Sequence, residues 1–168
     1  MPRVYLAGPT VFRSDMAELF ADMKRLCAEH GLEAVAPVDG GPPPETAEPG
    51  RAAFIRCANI ALIRGCQAVV ADISPFRGPG ADAGTAWEMG FAEALGLVVV
   101  PYTSDLRDYA RRVVVTVGID GDFVDADGLT VEDFGLCDNL MLTAGAESAQ
   151  PDLAAAVKRV ADLLGATH

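Results

Sequence analysis

The chain has 168 residues and a formal net charge of -11, with 51% hydrophobic and 22% charged residues. This is an ordinary globular composition, long enough for a real core, so we expect a single domain over residues 1–168. The negative charge argues against a nucleic-acid partner, because phosphates would meet no basic patch. Small molecules are therefore the expected ligands.

Location and cofactors are constrained by what the sequence lacks. No apolar run approaches ~20 residues and the N-terminus has no signal-peptide pattern, so we expect no membrane span. The four cysteines form no CxxC pair, which favours unbridged thiols in a reducing cytoplasm. His30 and His168 stand at a predicted helix end and at the C-terminus, so no metal site is indicated. Walker and GxGxxG signatures are also missing, and we expect no cofactor.

Short strands alternate with helices along the chain. The first half is predicted to form a strand at Arg3–Ala7, a helix from a Ser14 cap to Gly31, a strand at Leu32–Ala36, a loop at Asp39–Gly50, a helix at Arg51–Arg64 and a strand at Ala68–Ile73. The loop is rich in proline and glycine, and it is either a flap or a plain surface loop. The stripe that the second helix should bury consists of Phe54, Ile55, Ala58, Leu62 and Ile63.

The second half continues the alternation. It is predicted to form a helix from Asp82 or Thr85 to Leu95, a central strand at Leu97–Pro101, a short helix at Asp105–Arg112, a strand within Val113–Val117, a loop at Gly118–Gly135, a helical turn or two at Asn139–Ala146 and a helix at Pro151–Leu164. This order predicts a parallel sheet with helices on both faces, wound right-handed. The loops after Ala7, Ala71 and Pro101 should then meet at one edge of the sheet.

Three acids occur in the segment from Ala71 to Gly90, ADISPFRGPGADAGTAWEMG. Asp72 and Asp82 lie in a loop shaped by glycine and proline, and Glu88 follows on the helix. Two close carboxylates suit the cleavage of a glycosidic bond, in which one attacks the anomeric carbon. From the spacing alone, a glutamate in the early turns of a helix more often stabilises the helix dipole or is solvated.

The neighbours of Glu88 favour a functional role. Trp87, Met89 and Phe91 flank it, so we expect this part of the helix to be buried all round, and a buried carboxylate needs a partner or a role. Arg77 is expected either to form a structural bridge with Asp82 or Asp72, or to contact a ligand.

Three motifs resemble the nucleoside 2-deoxyribosyltransferase family. They are YLAGP at Tyr5–Pro9 with Phe12 following, SPFRGPxxDxGTxxExG at Ser74–Gly90, and DNLML at Asp138–Leu142. Their order and separation fit the family along nearly the whole chain, and the middle motif is the most specific. The resemblance implies a flavodoxin-like three-layer α/β sandwich with a mostly parallel, roughly five-stranded sheet.

The resemblance also implies an activity, namely exchange of the base of a 2′-deoxynucleoside for a free nucleobase by double displacement. Glu88 matches the family's nucleophile, Asp82 the acid that contacts the deoxyribose and base region, and Tyr5 the tyrosine that orients the nucleophile. Asn139 matches an asparagine that holds the sugar 5′-hydroxyl in a neighbouring subunit's site, which implies a homo-oligomer built from dimers, up to a hexamer. The candidate substrate-binding residues are Gly8, Pro9, Phe12, Asn59, Asp72, Ser74, Phe76, Arg77, Gly78, Asn139 and Met141.

Asn59 departs from the family's pattern. Some members have an aspartate near this position that exchanges protons with the base, which an asparagine cannot do at neutral pH. Asp72 or Asp82 remain as alternative sources of that proton, and the base preference is left open.

Two other functions remain open. A nucleoside or deoxynucleotide N-glycosidase would transfer the sugar to water, and Ser74 and Arg77 are then candidates for a 5′-phosphate, although DNLML points to a free 5′-hydroxyl. A non-catalytic nucleotide-binding module is the alternative of another class, and it would not depend on Glu88.

Overall fold

The computed structural model of the protein describes residues 1–45, 47–113, 116–118, 121–145 and 147–166. Its strands and helices are β1 (Arg3–Ala7), α1 (Met16–Glu29), β2 (Glu33–Val35), α2 (Glu48–Arg64), β3 (Ala68–Asp72), α3 (Ala83–Ala94), β4 (Val98–Tyr102), β5 (Thr116–Val117), β6 (Phe123–Val124), α4 (Leu140–Thr143) and α5 (Leu153–Leu164). Short 3-10 turns cover Pro9–Phe12, Pro37–Gly40 and Tyr109–Arg111. Among the described residues, no helix is both long and apolar enough to cross a membrane.

The central sheet has four parallel strands in the order β2-β1-β3-β4. Helices cover both of its faces, so the predicted flavodoxin-like α/β sandwich is confirmed, with one strand fewer in the sheet than expected. The chain crosses from β1 outward to β2 and then back over β1 to β3. This reversal creates a crevice at the carboxyl ends of β1 and β3, where open α/β sheets bind their ligands.

Alternation along β1 decides which helices each side chain meets. Val4 and Leu6 pack in one core with α1 and α5, whereas Tyr5 and Ala7 pack in a second core that includes Met89 of α3. Successive side chains of a strand point to opposite faces. The ring of Tyr5 is therefore directed toward the α3 side of the sheet, and it is fully buried.

The expected fifth strand does not join the central sheet. Within Val113–Val117, the residues Thr116 and Val117 pair antiparallel with Phe123 and Val124, while Val114 and Val115 lie outside the described residues, as do Thr46, Ile119, Asp120, Ala146 and His168. The edge of β4 is taken instead by Gln150, which donates its N–H to the carbonyl of Pro101 at 2.8 Å. A single extended residue thus satisfies the edge that a fifth strand would have occupied.

Two predicted helix features differ in the structure. The helix expected at Asp105–Arg112 is only the 3-10 turn at its end, because Asp105 accepts the N–H of Arg107 at 3.0 Å and closes a competing turn. Ser14 does not cap α1, which begins after Asp15.

Helix α2 differs most from its prediction. It begins at Glu48 with Pro49 in the first turn, so the preceding loop is shorter than expected. Only Ile63 of the predicted stripe is buried, while Phe54 and Ile55 are 36% and 47% exposed. The helix packs on α3 and on the turn at Pro37–Gly40, which leaves much of its apolar face uncovered in a single chain.

Candidate active site

The site lies where the loops after β1 and β3 meet. Gly8 follows β1 with a φ of +152°, and a Cβ at this position would stand 2.8 Å from the Cβ of Asp72. Only glycine adopts this backbone geometry and permits so close an approach. Gly8 thereby holds the two loops together at the crevice of the sheet.

A cavity of about 590 Å³ opens beside this junction. Its lining residues are Gly8, Val11, Phe12, Met16, Pro37, Val38, Gly41, Pro42, Pro43, Ile55, Asn59, Asp82, Gly84, Thr85 and Glu88. Most are apolar, and the polar groups collect on α2 and α3. A mainly apolar wall with a few convergent polar groups is typical of a small-molecule site.

Glu88 is the most constrained polar group of this cavity. Its Oε1 accepts the hydroxyl hydrogen of Tyr5 at 2.7 Å and an amide hydrogen of Asn59 at 3.4 Å. The partners come from β1 and α2, so three elements fix the carboxylate. No hydrogen bond reaches Oε2 from the described part of the chain. One oxygen is thus anchored and the other is left for a ligand.

Burial sets the electrostatics of this pair. The pKa of Glu88 is raised from 4.5 to about 7. Burial is the largest cause, the hydrogen bond from Tyr5 opposes it, the charge of Asp82 adds to the rise, and the bond from Asn59 lowers the pKa slightly. Burial and the Glu88 carboxylate also raise the pKa of Tyr5 far above its usual range, so Tyr5 remains a hydrogen-bond donor. Near neutral pH, Glu88 therefore exists in both its ionised and its protonated forms.

Asp82 caps α3 and also lines the cavity. It is the N-cap, and its Oδ2 accepts the N–H of Thr85 at 3.0 Å and the Thr85 hydroxyl at 3.3 Å. A Cβ at Gly84 would stand 2.9 Å from the same oxygen. The cap fixes the carboxylate at the helix N-terminus, where the helix dipole favours a negative charge.

Phe12, Phe76 and Arg77 form a stacked wall at the cavity rim. The rings of Phe12 and Phe76 stack at 5.2 Å, and the Arg77 guanidinium lies 5.1 and 4.7 Å from their centroids. No ion pair joins Arg77 to Asp82 or Asp72 in the described residues, so the structural bridge we considered is replaced by cation–π contacts.

A smaller cavity of about 320 Å³ lies on the other side of Phe12. It is lined by Pro9, Thr10, Phe12, Arg13, Asp72 and Phe76. Asp72 accepts the N–H of Ser74 at 2.9 Å, and the hydroxyl oxygen of Ser74 accepts the N–H of Ser104 at 3.0 Å. These two residues therefore shape the loop rather than line the cavity of Glu88. Gly78 is exposed, with open space beside it.

Asn139 and Met141 lie apart from the described cavities of their own chain. Asn139 caps α4 by accepting the N–H of Met141 at 3.0 Å, and it donates to Glu132 at 2.7 Å. The side chain of Met141 is 76% exposed. Local hydrogen bonds thus hold the half-buried Asn139 side chain, which is not among the residues that line the cavity of Glu88 in the same chain.

Several lining residues were missed from the sequence. From the sequence, the fully buried Thr85 is predicted only as a cap for α3. An aspartate followed three residues later by a threonine is a readable capping signal, and with Asp82 as the cap Thr85 falls in the first turn of α3, beside the cavity. Ile55 and Trp87 line a further cavity of about 440 Å³ beside Asn59. Trp87 is 45% exposed beneath Arg56, so α3 is not buried all round as we expected.

The fold and the site define an α/β protein with a carboxylate-bearing ligand cavity at the crevice of a parallel sheet. The family model for nucleoside 2-deoxyribosyltransferase matches residues 4–141. A solved 2-deoxyribosyltransferase from Leishmania mexicana is 34% identical, covers 96% of this chain and 98% of its own, and superposes with a TM-score of 0.78. The chain therefore belongs to the nucleoside 2-deoxyribosyltransferase family, as the motifs suggested.

Two further proteins are similar to this chain. An uncharacterized protein of Schizosaccharomyces pombe is 35% identical over 158 residues, which cover 84% of this chain and 75% of that protein. A 2-deoxyribosyltransferase from Bacillus psychrosaccharolyticus is 19% identical and covers 90% of this chain and 87% of its own. Its TM-score of 0.58 expresses a likeness of fold.

Proposed function

We propose that the protein exchanges the base of a 2′-deoxynucleoside for a free nucleobase by double displacement. The observation that carries this proposal is the Glu88 carboxylate, held by Tyr5 at 2.7 Å in the wall of a 590 Å³ cavity that Asp82 also lines. A carboxylate oriented by a neutral donor, with one oxygen free, is suited to attack an anomeric carbon.

The reaction consists of two substitutions at the same carbon. In the first, an oxygen of Glu88 forms a bond to C1′ while the bond from C1′ to the base nitrogen breaks and its electron pair leaves with the base. In the second, a nitrogen of the incoming base attacks C1′ and the carboxylate departs. Each step inverts C1′, so the exchange retains its configuration.

The absence of a 2′-hydroxyl on the substrate makes the first step easier. A 2′-deoxy sugar lacks that group's electron withdrawal, and its positively charged transition state is stabilised by the adjacent carboxylate. The intermediate must then be kept from water until the second base arrives. The apolar lining supplied by Phe12, Val38 and Pro42 supports such exclusion.

The proton balance at the departing base involves Asp82 in this proposal. Beside Glu88, Asp82 is the titratable group among the described residues that line the main cavity. Asp72 lines the smaller cavity and is engaged with Ser74, so it is less well placed. In this proposal Asp82 positions the sugar, gives a proton to the departing base and takes a proton back from the incoming base.

We further propose a homo-oligomer built from dimers, in which Asn139 and Met141 complete a neighbouring subunit's site. The distance of these residues from the cavities of their own chain supports this arrangement. The apolar face of α2, with Ile55 47% exposed, offers surface for a second copy. A role in nucleoside salvage in a reducing cytoplasm fits the free thiols, of which Cys27 and Cys66 are buried.

The test is to incubate a deoxynucleoside with the protein, with and without a second free base. Base release that depends on the acceptor, with formation of the new nucleoside, is the expected result. Release that ignores the acceptor would assign the protein to the N-glycosidases. A protein that releases no base and forms no Glu88 adduct with a 2-fluoro-2-deoxy sugar would be a binding module.

A further inference from the structure

Asn59 has a hydrogen-bonding capacity that the fold itself does not use. Its Nδ2 lies 3.4 Å from Oε1 of Glu88. The residue lines both the main cavity and the 440 Å³ cavity beside Trp87. Its Oδ1 is buried and has no hydrogen-bond partner within the described residues. Buried polar atoms are normally paired, so an acceptor left open next to the reacting carboxylate points to a donor supplied by a ligand.

The contact with Glu88 determines the orientation of the Asn59 amide. The ionised form of Glu88, which is the form that attacks in the proposed reaction, only accepts hydrogen bonds, so the NH₂ end of the amide faces it. The amide nitrogen carries two hydrogens, and we infer that the one directed away from Oδ1 donates to the carboxylate. The second lies on the same side as Oδ1. Together with that oxygen it forms an edge that presents one donor and one acceptor.

The order of donor and acceptor along this edge follows from the chemistry of Glu88. Because Glu88 attacks the anomeric carbon in the proposed reaction, the nitrogen end of the amide lies nearer the glycosidic bond and Oδ1 lies farther from it. A base that matches must present a ring nitrogen acceptor first and an N–H donor beyond it.

We propose, on the basis of the base-exchange function above, that Asn59 selects nucleobases with an amino group beside a ring nitrogen. Adenine presents N7 and its 6-amino group in this order, and asparagine is the residue that pairs with that edge. Cytosine presents N3 and its 4-amino group in the same order. Hypoxanthine offers two acceptors, and uracil and thymine offer donor and acceptor in the reverse order.

The same contact also assists the departure of the base. An N–H of Asn59 that donates to the ring nitrogen stabilises the negative charge that develops there, without transferring a proton. The exchange of amino bases would then depend less on an external acid than that of oxo bases. When the base carries an oxo group instead, two acceptors, the oxo oxygen and Oδ1 of Asn59, face each other and neither has a hydrogen-bond donor. Unpaired polar groups of this kind in a binding site produce strong discrimination between analogues.

The test compares adenine with hypoxanthine, which differ at this edge only in the group on C6. Calorimetry on the wild-type protein with each free base should give an affinity ratio of about ten- to a hundredfold in favour of adenine. Asn59→Leu keeps the side-chain volume and removes both groups, so its ratio should fall to about one. Ile55→Val, which trims another residue lining both cavities, is the matched control and should keep the ratio.

Equal affinities in the wild type, or a ratio that survives Asn59→Leu, would overturn the proposal. If the leucine variant does not fold by circular dichroism, Asn59→Ala replaces it, because alanine also removes both the donor and the acceptor and should lose the ratio. A parallel comparison of cytosine with uracil shows whether purines, pyrimidines or both are read. These are binding measurements, so they test the base preference independently of the proposed transfer reaction. A protein that prefers adenine but exchanges no base would contradict the proposed function and leave the role of Asn59 intact.

Discussion

Glu88→Gln should stabilise the fold at pH 8 while abolishing base exchange. The carboxylate has a pKa of about 7 in the folded protein against an ordinary value of 4.5. A group whose pKa is raised by folding binds more protons in the native state, so between these two pH values stability falls as pH rises. Glutamine has the same shape and does not ionise, so it should escape this loss.

The size of the effect follows from the two pKa values. Each pKa unit corresponds to 1.36 kcal/mol, so the ionisation of Glu88 lowers the free energy of unfolding by about 3 kcal/mol in total once the pH is well above 7. About 2–3 kcal/mol of this loss falls between pH 5 and pH 8. The free energy of unfolding of Glu88→Gln relative to wild type should therefore increase by that amount over this range.

Urea unfolding of both proteins at pH 5 and pH 8 measures the difference, at one fixed protein concentration because assembly adds to apparent stability. Glu93→Gln, an exposed position on the same helix, is the control and should follow the wild type. Stability curves of wild type and Glu88→Gln that run parallel from pH 5 to pH 8 would refute the reasoning, since the carboxylate would then not be desolvated in the folded state.

Substitutions at three further residues separate the tasks of the other site residues. Tyr5→Phe removes the bond that lowers the pKa of Glu88, so kcat/KM should fall ~10- to 100-fold and its rise with pH should move to higher pH. Asp82→Asn keeps the helix cap but removes the acid proposed to serve the base and the charge that raises the Glu88 pKa. The value of kcat/KM should therefore fall and its rise with pH should move to lower pH, whereas Asp82→Ala should also cost about 1 kcal/mol of stability. Asn139→Ala should weaken substrate binding. Co-refolding equal amounts of Asn139→Ala and Glu88→Gln should give about a quarter of the wild-type activity, because about half of the dimers are then mixed and one of the two sites in each mixed dimer is intact. A mixture that is no more active than its Asn139→Ala component alone would place Asn139 outside the neighbouring site.

Much of the fold could be predicted because its signals are local. Strands such as Arg3–Ala7 and Ala68–Asp72 are short apolar runs between turn residues, and their burial on both faces leaves little alternative to a parallel sheet. The loop from Asp72 to Asp82 could also be placed at the sheet edge, because the carboxyl ends of parallel strands share one side.

What the sequence could not decide depends on partners distant in the chain. The apolar face of α2 reads as a buried stripe, yet nothing in its periodicity says whether the same chain or another one covers Phe54 and Ile55. Gln150, rather than the strand predicted within Val113–Val117, pairs with the edge of β4. This pairing consists of tertiary hydrogen bonds, which no local pattern predicts. The stacking of Arg77 on Phe12 and Phe76 likewise requires two loops whose contact no spacing rule predicts.

The two oxygens of the Glu88 carboxylate differ in their bonding, since Tyr5 and Asn59 both contact Oε1. If Oε2 forms the bond to the sugar, Oε1 becomes the carbonyl oxygen of a glycosyl ester, and the same two donors then polarise that carbonyl. Water that reaches the ester has two targets, the sugar carbon and the carbonyl carbon. In ¹⁸O-labelled water, attack at the sugar carbon leaves the label in deoxyribose, whereas attack at the carbonyl carbon leaves it in Glu88. The position of a single isotope would therefore record which side of the ester is shielded from solvent.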